Sequence, residues 1–118
     1  MMTEKQERGA LGEQAAVDYL RRNGFMIVER NYRIGYSEVD IIAQRYDELH
    51  FVEVKTRKAG SMTTAESSIN EQKQRALRRA ASAYIAQHRS RLEPRFSLIT
   101  VEMVGTNVVD LAFVEDMM

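Results

Sequence analysis

Leu11, Ala15, Ala16, Tyr19 and Leu20 recur at helical spacing, and Asn23-Gly24 behind them is a stop signal. Residues 3–23 are therefore predicted to be helical. From residue 25 the pattern becomes extended. Residues 25–33 form a first strand, Gly35-Tyr36-Ser37 a turn, and residues 38–45 a second strand. In that second strand Val39, Ile41 and Ala43 fall on one face, and Glu38, Asp40 and Ile42 on the other. Tyr46-Asp47-Glu48 turns the chain into a third strand, residues 49–56, and the short turns predict an antiparallel meander. Residues 57–68 are small and polar and are read as a loop. Ile69, Ala76, Leu77, Ala80, Ala81, Tyr84 and Ile85 make the apolar stripe of a second helix over residues 69–88. Pro94 prevents its continuation. Residues 96–104 and 108–114 are strands joined by Gly105-Thr106-Asn107, read as a three-residue hairpin turn.

The order is α-β-β-β-α-β-β in a single domain, residues 1–118. It predicts an α/β or α+β architecture, a mixed five-stranded sheet with flanking helices. If the second helix leads to a strand parallel to the third, that crossover should be right-handed.

Composition narrows the chemistry. There are no cysteines, which excludes disulfides, thiolate metal sites and a cysteine nucleophile. No apolar run approaches the length needed to span a membrane, and the start lacks the apolar core of a signal peptide. The expectation is a soluble cytoplasmic protein with no membrane partner. Charge sums to zero but is unevenly spread. Residues 1–54 carry seven Lys/Arg and ten Asp/Glu (net −3), residues 55–95 ten and three (net +7), and residues 96–118 none and four (net −4). A basic middle segment suits phosphates, although charge alone favours a solvated helix face.

Several charges stand where the pattern calls for apolar residues. Asp40 lies within Val39-Asp40-Ile41-Ile42, where an ionised carboxylate is costly unless paired or bound to a cation. Glu53 and Lys55 share a strand face with Leu49 and Phe51, while His50, Val52, Val54 and Thr56 occupy the other. A strand covered on both sides would show this pattern. An isolated Glu-x-Lys is common by chance, and an exposed pair of this kind is worth little in energy. The combination with Asp40 changes the picture. Asp40 and Glu53 on hairpin-paired strands can converge into a hard-oxygen site suited to Mg²⁺. Lys55 would project to the same side, able to orient a water or offset charge on a phosphate. Glu13 falls on the helix face of Ala16, Val17 and Leu20, and Lys73 lies on the apolar stripe between Ile69 and Leu77. Favourable placement near a helix N-terminus and snorkelling at the stripe's edge are the plain explanations for these last two.

Gly9-Ala10-Leu11-Gly12-Glu13, Glu29-Arg30-Asn31-Tyr32-Arg33, Glu38-Val39-Asp40-Ile41-Ile42-Ala43 and Phe51-Val52-Glu53-Val54-Lys55-Thr56-Arg57 occur in this order. Lys73, Arg79-Ala80-Ala81, Tyr84 and Arg95-Phe96 follow. Together they resemble the YraN family of small bacterial proteins, over nearly the whole chain. That family is similar to the PD-(D/E)xK nuclease superfamily, close in pattern to archaeal Holliday-junction resolvases. The resemblance implies a restriction-endonuclease-like fold. It maps Asp40, Glu53 and Lys55 to the metal-binding and catalytic core, and Glu13 to the acidic residue of the first helix. Lys73, with Gln72, maps to the polar position on the helix after the core. Ser37 and Ser97 depart from the family's usual Gly and Asp, and residues 57–68 depart from its commoner loop.

These residues support three readings. The first is a nuclease in which Asp40, Glu53 and Glu13 hold Mg²⁺ or Mn²⁺, Lys55 serves the chemistry, and Lys73 and Gln72 meet DNA. Arg57, Arg78 and Arg79 would lie along the phosphate backbone, giving affinity without base specificity. Branched or flapped DNA would suit such binding. The second is a non-catalytic nucleic-acid or protein-binding module of the same fold. The third is a homodimeric structural domain, with Val108, Val109, Leu111, Phe113 and Val114 supplying an apolar edge.

Overall fold

The computed structural model describes residues 1–60 and 70–116. Its elements are α1 (Glu4–Arg22), β1 (Met26–Ile34), β2 (Ser37–Arg45), β3 (Glu48–Lys58), α2 (Glu71–His88), β4 (Glu93–Val104) and β5 (Asn107–Val114). The predicted α-β-β-β-α-β-β order is present. The five strands form one mixed sheet in sequential order. β1, β2 and β3 are an antiparallel meander, β4 runs parallel to β3, and β5 returns antiparallel to β4. The α2 crossover thus supplies the length that a parallel connection requires.

The helices begin where side chains satisfy their free N–H groups. Thr3 Oγ1 accepts from the Gln6 N–H at 3.1 Å, and Gln6 Oε1 accepts from the Thr3 N–H at 3.0 Å, a capping box at the start of α1. Asn70 Oδ1 accepts from the Lys73 N–H at 2.9 Å and caps α2. α2 thus starts at Glu71 instead of residue 69, because the Asn70 side chain takes the capping position. Ile69, and residues 61–68 of the expected loop, lie outside the described residues.

The sheet is covered on both faces. Ala16, Val17 and Leu20 of α1 pack with Phe25, Ile41, Ala43, Val52, Ile99 and Val101. Leu77, Ala80, Ala81 and Tyr84 of α2 pack with Tyr32, Ile42, Leu49, Phe51 and Leu98 on the opposite face. The inward face of α1 differs from the sequence reading. Leu11 is 37 % exposed, and Gly12 takes its place against the sheet. A Cβ on Gly12 would overlap the Thr56 side chain, lying 2.8 Å from Cγ2 and 2.9 Å from Cβ. The absent side chain is what lets α1 approach β3 there.

The β4–β5 turn is shorter than expected. Val104 pairs with Asn107, leaving Gly105-Thr106 as a two-residue turn, with an irregularity between Glu102 and Met103. Pro94 lies inside β4, paired with Leu49, near the strand's start where a missing N–H is tolerated. β5 is an edge strand, and Val108 and Val109 are 44 % and 54 % exposed along it. Among the described residues, no helix is long and apolar enough to cross a membrane.

Candidate active site

The β2–β3 ladder runs from Arg45 opposite Glu48 to Ile41 opposite Val52, and stops. Beyond that point the Asp40 side chain replaces the missing strand contact. Its Oδ2 accepts from the Val54 N–H at 2.8 Å. On the other side of Asp40, β1 is also irregular. Asn31 has a φ of +54°, between the paired residues Arg30–Ile41 and Tyr32–Val39. The expected alternation of β2 therefore slips at Asp40. Val39 packs with Ile42 on the α2 side, while Ile41 and Ala43 face α1. An alternation of period two cannot continue through such a break.

Where the strands part, a cleft of about 370 Å³ opens. Asp40, Glu53, Lys55, Glu13 and Lys73 all line it, so four elements deliver the charged residues singled out in the sequence. A second cleft of about 450 Å³ adjoins it and shares Asp40, Glu53 and Lys73. Gln72 and Tyr36 also line this second space. Lys5 and Arg8 of α1 bring further positive charge to the first cleft. Sequence reasoning missed both, because the first turns of an amphipathic helix read as solvated surface.

The electrostatics of Asp40 follow from its place. Burial pushes its pKa up, the Glu53 charge adds to this, and the Val54 N–H pulls it part of the way back; the result is about 7. Glu53 is compensated from above, with Lys73 Nζ 2.6 Å from its Oε1. Lys55 is exposed at the cleft. Glu13 is gripped from β1: Arg30 donates to its Oε1 through Nε at 3.4 Å and Nη2 at 3.3 Å, and Asn31 Nδ2 donates at 3.2 Å. Arg30 Nη1 also donates to Gln14 Oε1 at 3.2 Å. The unusual backbone at Asn31 presents its amide to Glu13. Asparagine tolerates that conformation better than most residues, which is the one signal a sequence reader could have used.

Carboxylate oxygens from Asp40 and Glu53, with a buried group short of positive charge, form a donor set that fits a hard divalent cation. Glu13 lines the same cleft. Among the described residues, the trio whose ligand atoms all lie within 4.8 Å of one another is a different one, Glu48, His50 and Glu115. That group is already matched by cations. Arg95 Nε lies 3.0 Å from Glu48 and Arg45 Nη2 3.3 Å from Glu115. His50, 1 % exposed, contacts Ser97 Oγ through Nδ1 at 3.0 Å and Glu48 Oε1 through Nε2 at 3.2 Å. Ser97 thus satisfies a buried imidazole. Nothing in the local sequence pattern connects Glu48, Ser97 and Glu115.

The expected DNA-binding residues divide. Lys73 and Gln72 stand at the clefts. Arg57 does not line them; its Nη2 lies 3.8 Å from Glu102 on β4 and its side chain is largely covered. Arg78 and Arg79 are exposed on α2 outside both clefts, and Arg79 Nη1 donates to Ser37 Oγ at 3.2 Å.

A family described as "Uncharacterised protein family UPF0102" matches residues 12–101. A UPF0102 protein of Syntrophotalea carbinolica is 44% identical over 98 residues, 82% of this chain and 80% of the relative. One from Alkaliphilus oremlandii is 40% identical over 99 residues, 81% and 85% of the two chains. One from Bacteroides thetaiotaomicron is 41% identical over 106 residues, 90% and 86% of the two. The family match spans Glu13, Asp40, Glu53, Lys55 and Lys73, with all of α2 and α1 from residue 12 onward. On this similarity the chain belongs to the UPF0102 (YraN) family.

Proposed function

We propose that the protein is a cytoplasmic metal-dependent nuclease of the PD-(D/E)xK type, on a restriction-endonuclease-like fold, hydrolysing phosphodiester bonds in branched or flapped DNA. The observation that carries this reading is the convergence of Asp40, Glu53 and Lys55 on one cleft where β2 and β3 part. Asp40 and Glu53 would hold Mg²⁺ or Mn²⁺, with Glu13 lining the same cleft. Such a cation supplies Lewis acidity toward a phosphoryl oxygen. Lys55 orients the attacking water or offsets charge developing on the phosphate. Lys73 turns from Glu53 to the phosphate, and Lys5 and Arg8 add positive charge along the path of the backbone.

A second reading, a binding module without catalysis, is favoured by one contact. The 2.6 Å Lys73–Glu53 pair already neutralises one of the two carboxylates. One experiment separates the two. End-labelled duplex, flap, four-way-junction and single-stranded DNA are incubated with Mg²⁺, Mn²⁺ or EDTA, alongside Asp40→Asn and Lys55→Ala protein. The nuclease reading expects cleavage that needs metal and disappears in both variants. Binding without cleavage on every substrate supports the module instead.

A further inference from the structure

The turn between β1 and β2 consists of Gly35, at φ +58°, and Tyr36, between the paired Ile34 and Ser37. Tyr36 is fully exposed, yet it lines the second cleft beside the charged residues. Burial does not account for its ring. The turn beneath it is held from α2. Arg79 of α2 donates to the buried Ser37 hydroxyl, and Arg33 pairs with Glu38 at 3.4 Å. An aromatic face is thus presented from an anchored base, at the mouth of a space that shares Asp40, Glu53 and Lys73 with the first cleft. At about 450 Å³ that space falls within the range of roughly 300–1,000 Å³ in which small ligands are held. Gln72 across it offers both a donor and an acceptor.

We propose that Tyr36 is the stacking platform of a nucleobase subsite, so that the DNA strand being cut carries an unpaired base beside the scissile phosphate. The inference rests on the nuclease reading and deepens it. The first cleft, with Lys5 and Arg8, takes the sugar-phosphate chain. The second takes a base, which reaches Tyr36 only if it has left the stack. A base in intact duplex has both faces occupied by its neighbours, and stacking on a protein ring is open to unpaired bases of any sequence. The subsite therefore selects for unpaired structure without selecting for sequence.

The test measures binding in EDTA, where nothing is cut. 2-Aminopurine is placed in a single strand, at a one-nucleotide gap and within a full duplex. Wild-type protein should change its fluorescence in the first two and not in the third. Tyr36→Phe, which keeps the ring, should behave as wild type. Tyr36→Ala should bind the single strand roughly tenfold more weakly, the loss of one base–ring stack, and leave duplex affinity unchanged. Tyr36→Leu, which keeps an apolar bulk at the turn, should follow Tyr36→Ala. Single-strand binding by Tyr36→Ala equal to wild type, or an equal loss on duplex, overturns the subsite while leaving the nuclease reading intact. Failure of wild-type protein to bind any DNA, in EDTA or with Mg²⁺, overturns the nucleic-acid reading and the subsite together.

Discussion

At one end of the β2–β3 ladder, Glu48 lies 3.0 Å from Arg95 and 3.2 Å from the buried His50, and Arg45 holds Glu115 beside them. At the other end, Asp40 has a single backbone N–H from Val54 and faces the Glu53 carboxylate. The consequences are opposite. The His50 hydrogen bond, with Arg95, holds the Glu48 carboxyl below its ordinary pKa, while burial and Glu53 lift that of Asp40 to about 7. Both ends are polar clusters on the same two strands. One is matched within the protein and ties β2, β3, β4 and the residues after β5 together. At the other, Lys73 pairs with Glu53, while Asp40 is acted on by burial, neighbouring carboxylates and the Val54 N–H, the condition expected of a group that waits for a ligand.

The largest test of this contrast is on activity. Asp40→Asn should remove metal-dependent cleavage altogether in a gel assay. Glu48→Gln should leave cleavage per folded molecule unchanged. Equal losses in the two variants would erase the distinction between the ends.

Next comes Arg30→Met. Removing the two Arg30 donors from Glu13 should weaken Mn²⁺ binding roughly 10–100-fold by calorimetry, the usual scale for loss of a residue that orients a metal site. Asn31→Gly sharpens it. Glycine accepts the positive φ, so a loss there reports the missing amide contact and not backbone strain.

Gly12→Ala addresses how α1 reaches the cleft. The added Cβ meets the Thr56 side chain and should destabilise the fold by about 1–3 kcal/mol in urea melts. Thr56→Ala in the same chain should restore most of that.

The last test concerns pH dependence. For metal-free protein, the folded pKa of Asp40, about 7, lies above its ordinary 3.8. The folded state therefore holds that proton more tightly. The stability this supplies is present at acid pH and lost as pH rises from about 4 to about 7. Asp40→Asn should melt several degrees above wild type at pH 8, with the gap closing in acid. Glu48 has the reverse sign. Its contribution is full above its ordinary 4.5 and lost as pH falls through its lower folded value, so Glu48→Gln should cost stability at pH 7 and little in strong acid.

The elements and their order were legible because period-2 and period-3.6 patterns are local. The same patterns displayed Asp40, Glu53, Lys55, Glu13 and Lys73 as charges out of place, and the structure brings all five to one cleft. What was not legible depends on chain crossings that no local period records. His50 read as one polar residue on a strand, and only the parallel β3–β4 pairing sets Ser97 within its reach. Lys5 and Arg8 gained their place from the close Gly12–Thr56 approach. The slip at Asp40 was hidden for a simpler reason: a perfect alternation was assumed through the residue that breaks it.

The left-handed backbone at Asn31 has an effect unrelated to any reaction. β1 is an outer strand of the sheet, and such strands are templates for unwanted pairing with other chains. Here the strand is irregular between Ile27 and Glu29, has a left-handed residue at Asn31, and exposes Glu29, Arg30 and Arg33 along its length. A straight incoming strand would find neither a continuous row of partners nor an uncharged surface. The residue that offers its amide to Glu13 thereby also guards this border of the molecule against fibrous self-assembly.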